Sequence, residues 1–458
     1  MGCAAGVGGP RRAPRGPFAA LVIRALHRIR REPAEIQAKV PAVPHPKLLP
    51  ALLAVLVAAP LAIGCGRTEP IGEEPNQPVL LAPKRQSFEN LGFPSFATKN
   101  TTRVSGANAT RTAAAVVRAV YPDPTKKPAA IALVDTSDWR VAIAASALMA
   151  APVNAPALFS DGEDLPAASE RAIEALDPTG SKPAGNAKII RIGNVARPAG
   201  YESTDLKGAT PLALTRSIAG LIIAAKSRTA PNVIIASADD PSYAAPAAGY
   251  AAKTGDPILF VNKDSVPPET RAALATLARP RIYLLGPSSV ISPKVNKELK
   301  RLGSVKRMGG KDPVTNAIEF ARYFDGEFGW GVSTPGHGMV FARAGRPLEA
   351  AAAAPLSGAG SYGPLFLLDN ADELPSALQG QLLDTQPAYR TNPVAGVYNH
   401  GWIIGDRNAI SIATQSKLDT LLEIGPEATP DNPPDQPAAP DAPTQPDTST
   451  QPGRPDAP

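Results

Sequence analysis

The sequence predicts an α/β protein of three tandem Rossmann-like units, each a small parallel sheet covered by helices. Three observations predict it. First, landmarks recur at a near-constant interval. Ala155-Pro156-Ala157-Leu158-Phe159 with Asp164-Leu165-Pro166 returns as Asp256-Pro257-Ile258-Leu259-Phe260 with Ser265-Val266-Pro267. It returns again as Gly363-Pro364-Leu365-Phe366-Leu367-Leu368 with Glu373-Leu374-Pro375. Pro156 to Pro257 and Pro166 to Pro267 are both 101 positions, Gly208 lies 102 after Gly106, and Gly309 lies 101 after Gly208. Independent landmarks that keep one interval mark copies of one structural unit. Second, short apolar runs alternate with helical stretches, the pattern of parallel strands buried on both faces. Third, aromatic residues are only 5% of the chain while Ala is abundant, which suits small side chains between closely packed layers.

From the N-terminus, residues 1–64 read as a leader. Leu48 to Gly64 is an uncharged, mostly apolar run of 17 residues after Lys47. A membrane-spanning helix needs about 20, so the run suits the h-region of a signal peptide. It ends Leu61-Ala62-Ile63-Gly64-Cys65, similar to a bacterial lipobox. There, small residues admit the peptidase and the cysteine thiol accepts a diacylglyceryl group. The alternative is an ordinary signal peptide with a chance cysteine. The Arg-rich stretch before it is long for a signal peptide, and Val40 is an alternative start. Cys3 and Cys65 are the two cysteines, so neither a disulfide framework nor a cysteine-based zinc site is available.

Residues 65–100 are then the lipidated cysteine and a linker. The repeats divide as 101–200, 201–303 and 304–424. In the first, Ala130–Asp135, Ala157–Phe159 and Lys188–Gly193 read as strands. In the second, Leu212–Lys226 reads as helix, Asn232–Ser237 as strand and Ser242–Lys253 as Ala-rich helix. Pro257–Val261 follows as strand, then Pro267–Leu277 as a helix with Pro in its first turn, where the missing N–H costs nothing. Arg281–Gly286 is a third strand and Ser292–Leu302 a helix capped by Ser292. The third repeat has strands at Gly338–Arg343, Leu365–Leu368 and Gly401–Gly405. Extra residues around Gly326–Gly338 lengthen its interval, so that Pro257 to Pro364 is 107. Residues 425–458 hold 11 prolines among 34 positions and read as a disordered acidic tail.

The net charge of +6 is unevenly spread: +7 over residues 1–64, −5 over 425–458 and +4 between. The globular part is thus only mildly basic, with no nucleic-acid-binding stripe. No Gly-x-Gly-x-x-Gly follows a strand and no P-loop is present, so no nucleotide cofactor is expected. No Gly-x-Ser-x-Gly elbow occurs. After Cys65 the histidines are His337 and His400, which is thin support for a metal. His337 in Gly336-His337-Gly338 is kept as a candidate, equally readable as a loop residue. The expectation is of a non-enzyme with no cofactor and no metal.

The units resemble the cell wall-binding repeat 2 family of bacterial surface proteins over about residues 100–424. Family units open with a pattern like Arg-Ile-Ser-Gly-x-Asp-Arg-Tyr-x-Thr-Ala. Arg103-Val104-Ser105-Gly106 with Thr112-Ala113 is similar, with Asn108 at the Asp position and Ala109 at the second Arg. Arg307-Met308-Gly309-Gly310 with Asp312 is the third copy's version, and the second keeps Gly208. Glu349-Ala350-Ala351-Ala352-Ala353-Ala354-Pro355-Leu356 resembles a second signature that opens the Ala-rich helix. Val141 and Tyr243 replace its acid in the other copies. A third, apolar strand then glycine, appears as Ile192-Gly193-Asn194, Leu285-Gly286-Pro287 and Ile404-Gly405-Asp406. The resemblance implies three units packed side by side with pseudo-threefold symmetry, and noncovalent attachment to an anionic glycopolymer of the cell wall, associated with peptidoglycan. The membrane would be a second partner, through lipid on Cys65.

Ligands of open α/β sheets sit outside the carboxyl ends of the strands. The loops there are Asp135–Arg140, Ala238–Tyr243 and Ala344–Glu349, with Arg140, Arg343 and Arg346 as nearby cations. Arg103 and Arg307 recur at equivalent positions. Arg suits phosphate and carboxylate through paired donors, so these five are the candidate polymer-binding residues. Arg140, Arg343 and Arg346 could instead be solvated surface or ion-pair partners of Asp135, Asp138 or Glu349, and Arg103 and Arg307 a salt bridge between units. The alternative function is a surface lipoprotein that binds a small ligand in an inter-unit cleft.

Overall fold

A computed structural model describes residues 95–226, 232–360 and 362–427. Cys65, the leader, most of the expected linker and residues 428–458 lie outside the described residues. Every apolar run expected as a strand is one. The first sheet contains Ile131–Asp135, Ala157–Ser160 and Ile189–Ile192; the second, Asn232–Ser237, Ile258–Val261 and Arg281–Leu285; the third, Gly338–Arg343, Leu365–Leu368 and His400–Ile404. In each the first of these strands is central, flanked by the other two, and all run parallel. These strands are almost entirely buried, because helices cover both faces. A fully buried Phe159, Phe260 or Phe366 contributes about 1.5–3 kcal/mol by leaving water.

Each sheet has a fourth parallel strand that the sequence did not announce. Ser203–Leu206 pairs with Ile189–Ile192, and Ser304–Met308 with Arg281–Leu285. Thr101–Val104 crosses to pair with His400–Ile404 of the third sheet. Each sheet therefore takes its last strand from the residues that open a repeat, and the third is completed by the beginning of the described chain. Ser95–Ala97, at the end of the expected linker, adds antiparallel to Thr101–Val104. Gly425–Pro426 pairs with Ala388–Tyr389, so the acidic segment opens inside the fold.

After each fourth strand the chain turns through a glycine into a capped helix. Asn108 accepts from Arg111 N–H, Thr210 from Ala213 N–H, and Asp312 from Thr315 N–H in a full capping box. The glycines two residues before these caps are Gly106, Gly208 and Gly310. A Cβ there would fall 2.3–2.5 Å from atoms of the following first turn, so close approach, not a left-handed backbone, requires glycine. The packing equivalent of Gly208 in the third repeat is thus Gly310, not the Gly309 suggested by interval alone. Ser292 does precede the helix Pro293–Leu302, but its hydroxyl makes no capping bond and is buried without a partner.

The Ala-rich helices lie between the sheets. They are Trp139–Ala145 continued by Ser146–Met149, Pro241–Ala244 with Pro246–Thr254, and Pro347–Gly358. Each contacts the other two. Ala142, Ala248 and Ala353 are fully buried, and a Cβ at Gly249 would fall 2.6 Å from Ser357 Oγ. Alanine and glycine here allow three helices to approach one another closely. Among the described residues no helix is long and apolar enough to cross a membrane.

The extra residues of the third repeat fold back onto the second sheet. Asp325 accepts from Tyr283 and Tyr323 hydroxyls, each at 3.0 Å, from Lys306 Nζ, and from the N–H groups of Glu327 and Phe328. Phe328 is fully buried and stacks on Tyr283 with centroids 3.6 Å apart. Tyr283 and Lys306 belong to the second sheet, so this insertion binds the third unit to the second.

Candidate functional site

The three strand-end loops predicted to hold ligand meet one another in a cycle. At the first junction, Arg140 donates through Nε to Ala238 O at 2.8 Å and through Nη1 to Asp138 at 2.7 Å. Its guanidinium also lies 4.8 Å from the centre of the Trp139 ring. At the second, Ser242 Oγ donates to Ala344 O at 2.9 Å. The third junction, between the Ala344–Glu349 loop and the Asp135–Arg140 loop, has Leu348 at the position of Arg140 and Ser242. There the surface opens.

Two adjoining cavities lie at this opening. The larger, about 500 Å³, is lined by the first turns of the helices Ala109–Val120 and Ala167–Leu176, and by Thr136, Asp161, Arg171 and Leu348. Asn108 and Arg111 are on its wall. Arg111 and Arg171 are both exposed. Among the described residues neither side chain has a hydrogen-bond or ion-pair partner, and Asp161 is the one acidic residue lining the cavity. The first turn of a helix points N–H groups outward and carries partial positive charge, so the wall is electropositive from side chains and backbone alike. The smaller cavity, about 340 Å³, shares Ala109, Thr136 and Leu348 and adds Ser137, Trp139, Arg346 and Glu349.

Of the five predicted arginines, only Arg346 reaches this cleft. It pairs with Glu349 at 3.0 Å and Asp406 at 3.3 Å. Burial raises the Glu349 carboxyl against the opposing effect of Arg346. Arg140 faces the first junction instead. Arg343 ends its strand half-buried, with Nη1 buried and unpartnered.

Arg103 and Arg307 are placed as braces of the fold. Arg103 is 5% exposed. It donates through Nε to Gln415 (3.0 Å), through Nη1 to Gly405 O and Asp406 O (both 2.9 Å), and through Nη2 to Ile410 O (2.7 Å). Burial, then the neighbouring Arg407, lowers its pKa to about 10, so it stays charged at neutral pH. Arg307 makes the matching bonds to Gly286 O at 2.7 Å and Ile291 O at 2.8 Å. Both hold the loop after the adjacent strand through backbone carbonyls, in place of the salt bridge considered from sequence. In the first sheet the charges are exchanged across the strand pair. Asp205 stands at that position beside Arg191, and Arg191 binds Ala196 O at 3.0 Å and Asp205 at 2.8 Å.

His337 precedes the strand Gly338–Arg343, at the end of the sheet opposite the cleft. Its carbonyl accepts from His400 N–H at 2.9 Å. Burial lowers the pKa of both imidazoles. Among the described residues no three His, Cys, Asp or Glu side chains cluster as metal ligands.

Sequence reasoning missed Arg111 and Arg171 because both sit on helices and not in strand-end loops. Comparison of the copies carries the signal: the third residue after the cap is Arg111, Ala213 or Thr315. Five after the recurring Pro166, Pro267 and Pro375 stand Arg171, Ala272 and Gly380.

Residues 209–296 match the family described as Cell wall binding domain 2 (CWB2). Two solved structures are similar to the chain. Cwp6 from Clostridium difficile is similar with a TM-score of 0.57 and 19% identity, over 70% of this chain and 48% of that one. Cwp8 from Clostridium difficile is similar with a TM-score of 0.54 and 19% identity, over 70% of this chain and 52% of that one. The chain thus matches about half the length of each. At that identity the likeness shows the α/β fold. No curated protein matches the sequence.

Proposed function

We propose that this chain, which carries a cell wall binding domain 2 unit at residues 209–296, attaches without catalysis to an anionic glycopolymer of the bacterial cell wall. The observation that carries this reading is the cavity of about 500 Å³ with Arg111 and Arg171 on its wall. Two guanidinium groups without carboxylate partners offer fork-shaped donors to phosphate or carboxylate. Arg346 stands at the edge as a third cation, exchangeable from Glu349 and Asp406 to a ligand. Arg140 and Arg343 contribute charge around the junctions, whereas Arg103 and Arg307 support the fold.

Co-sedimentation of the full chain with bacterial cell walls tests the reading. Binding is expected to fall about tenfold or more between 50 and 500 mM salt, because exposed charges are screened beyond about 10 Å already at 0.1 M. It is expected to vanish once secondary polymers are extracted with mild acid. Salt-insensitive affinity for one soluble sugar would favour the small-ligand reading, which draws on the same cleft's volume.

Cys65 supplies the second attachment in this reading, through a diacylglyceryl thioether that places the protein outside the cytoplasm on the membrane. In a bacterial host fed radiolabelled palmitate, the wild-type chain is expected to carry label and Cys65→Ser none. Equal labelling of both would remove the anchor from the proposal.

A further inference from the structure

We propose that anionic ligand is bound at one of the three junctions, the one where the third unit meets the first, so that the chain carries a single anion site. This rests on the wall-binding reading for the nature of the ligand but not for its stoichiometry. The three units repeat one strand order and one cap geometry, and three equivalent sites would be the simplest outcome. The side chains break that equivalence. Arg111 and Arg171 occur in the first unit alone; Ala213 and Ala272 take their places in the second, and Thr315 and Gly380 in the third. The bordering loops differ in the same sense. Arg140 and Ser242 each bridge across their junction to a backbone carbonyl of the next loop. Leu348 has no polar group with which to do so, and it lines both cavities.

Charge at the helix ends sets the third unit apart; the second unit's cap, Thr210, is as neutral as Asn108, so there the missing arginines decide. The cap in the third unit is Asp312, whose carboxylate already accepts Thr315 N–H at 2.8 Å. An anion arriving there would meet a negative charge of the protein's own. The cap beside the large cavity is the neutral Asn108, which leaves the positive end of its helix uncompensated.

The test is calorimetric titration of the full chain with a poly(glycerol phosphate) oligomer of three units. One oligomer per chain is expected. Arg111→Ala/Arg171→Ala is expected to weaken binding at least about tenfold, or about 1.4 kcal/mol, with an unchanged unfolding transition because both side chains are exposed. Arg216→Ala/Arg271→Ala, which removes cations of the second unit, is expected to change affinity by less than about twofold. Two or three oligomers per chain, equal losses from the two double variants, or no binding at all would overturn the proposal. One-to-one binding of the oligomer by a chain that does not sediment with walls would support the single site and overturn the wall reading instead.

Discussion

Replacing Arg103 with alanine is expected to lower the unfolding free energy by about 3–5 kcal/mol, the range for breaking a buried charged network. The side chain lies in the strand Thr101–Val104, which completes the third sheet from the far end of the repeats. Its guanidinium serves four acceptors on the segment that follows the neighbouring strand: Gly405 O, Asp406 O, Ile410 O and Gln415 Oε1. Truncation removes the donor from Gly405 O, Ile410 O and Gln415 Oε1 in a place that water reaches poorly, while Asp406 O keeps the N–H groups of Ala409 and Ile410. Other ties remain, since Asp419 accepts Asn100 N–H at 2.7 Å and Gln415 donates to Thr101 Oγ1 at 3.1 Å. The strand should therefore loosen before the sheets separate. Urea unfolding of the full chain gives the stability change, and amide exchange in residues 101–104 should accelerate more than in Ile131–Asp135. Arg103→Lys should recover only a small part, because an ammonium cannot span acceptors that a planar fork spans. Arg307→Ala, with a half-buried side chain and two carbonyl bonds, should cost less. A change below about 1 kcal/mol for Arg103→Ala would mean that the strand is held by its backbone pairing alone.

That ring closure shows where the sequence was legible and where it was not. The nine buried strands are legible because burial on both faces forces continuous apolar runs, as in Asn-Val-Ile-Ile-Ala-Ser at 232–237. The fourth strands are written Ser-Thr-Asp-Leu, Ser-Val-Lys-Arg-Met and Thr-Thr-Arg-Val. The first two lie at the edges of their sheets and are partly exposed, so polar residues are tolerated; Thr101–Val104 is mostly buried and holds its polar residues through hydrogen bonds, and in all three the strand signal disappears. Ser203–Leu206 and Ser304–Met308 join the sheet before them while Thr101–Val104 joins the third sheet, which no local pattern reveals. The candidate site was legible only as a location, the strand-end loops. Which cations face the cleft depends on bringing two helix starts, at Ala109 and Ala167, to one cavity. Arg103 carries the family pattern most clearly, yet its guanidinium is turned inward. A recurring arginine in a repeat thus marks a shared structural need as readily as a shared ligand. The cleft residues Arg111 and Arg171 are the ones that do not recur.

Asp325→Ala is expected to cost about 2–4 kcal/mol, since an ionised acceptor of several hydrogen bonds is lost and its donors are left unpaired. Asp325 belongs to the insertion that makes the third repeat longer than the others, and its carboxylate gathers two phenols, an ammonium and two backbone N–H groups. Burial alone would raise the carboxyl pKa. The Lys306 bond and the N–H bonds of Phe328 and Glu327 outweigh it and hold the group well below the usual carboxylate range. A carboxylate with a depressed folded pKa contributes stability that is complete above its unfolded value, about 4, and is lost as pH falls through the folded one. The phenols act with the opposite sign. Burial, then the bond to Asp325, raises Tyr323 to about 12. Stability from its protonated form is complete below the unfolded value, about 10, and declines as pH rises toward 12. Wild-type stability should therefore slope downward on both sides, below about pH 4 and above about pH 10. Asp325→Ala should flatten the acid limb most, because its cause is removed outright, and the alkaline limb in part, because burial of Tyr323 persists. Urea midpoints across this range, for the wild type, Asp325→Ala and Tyr323→Phe, separate the two contributions. Parallel pH profiles for the wild type and Asp325→Ala would show that the insertion is held by Phe328 stacking on Tyr283 and not by the carboxylate.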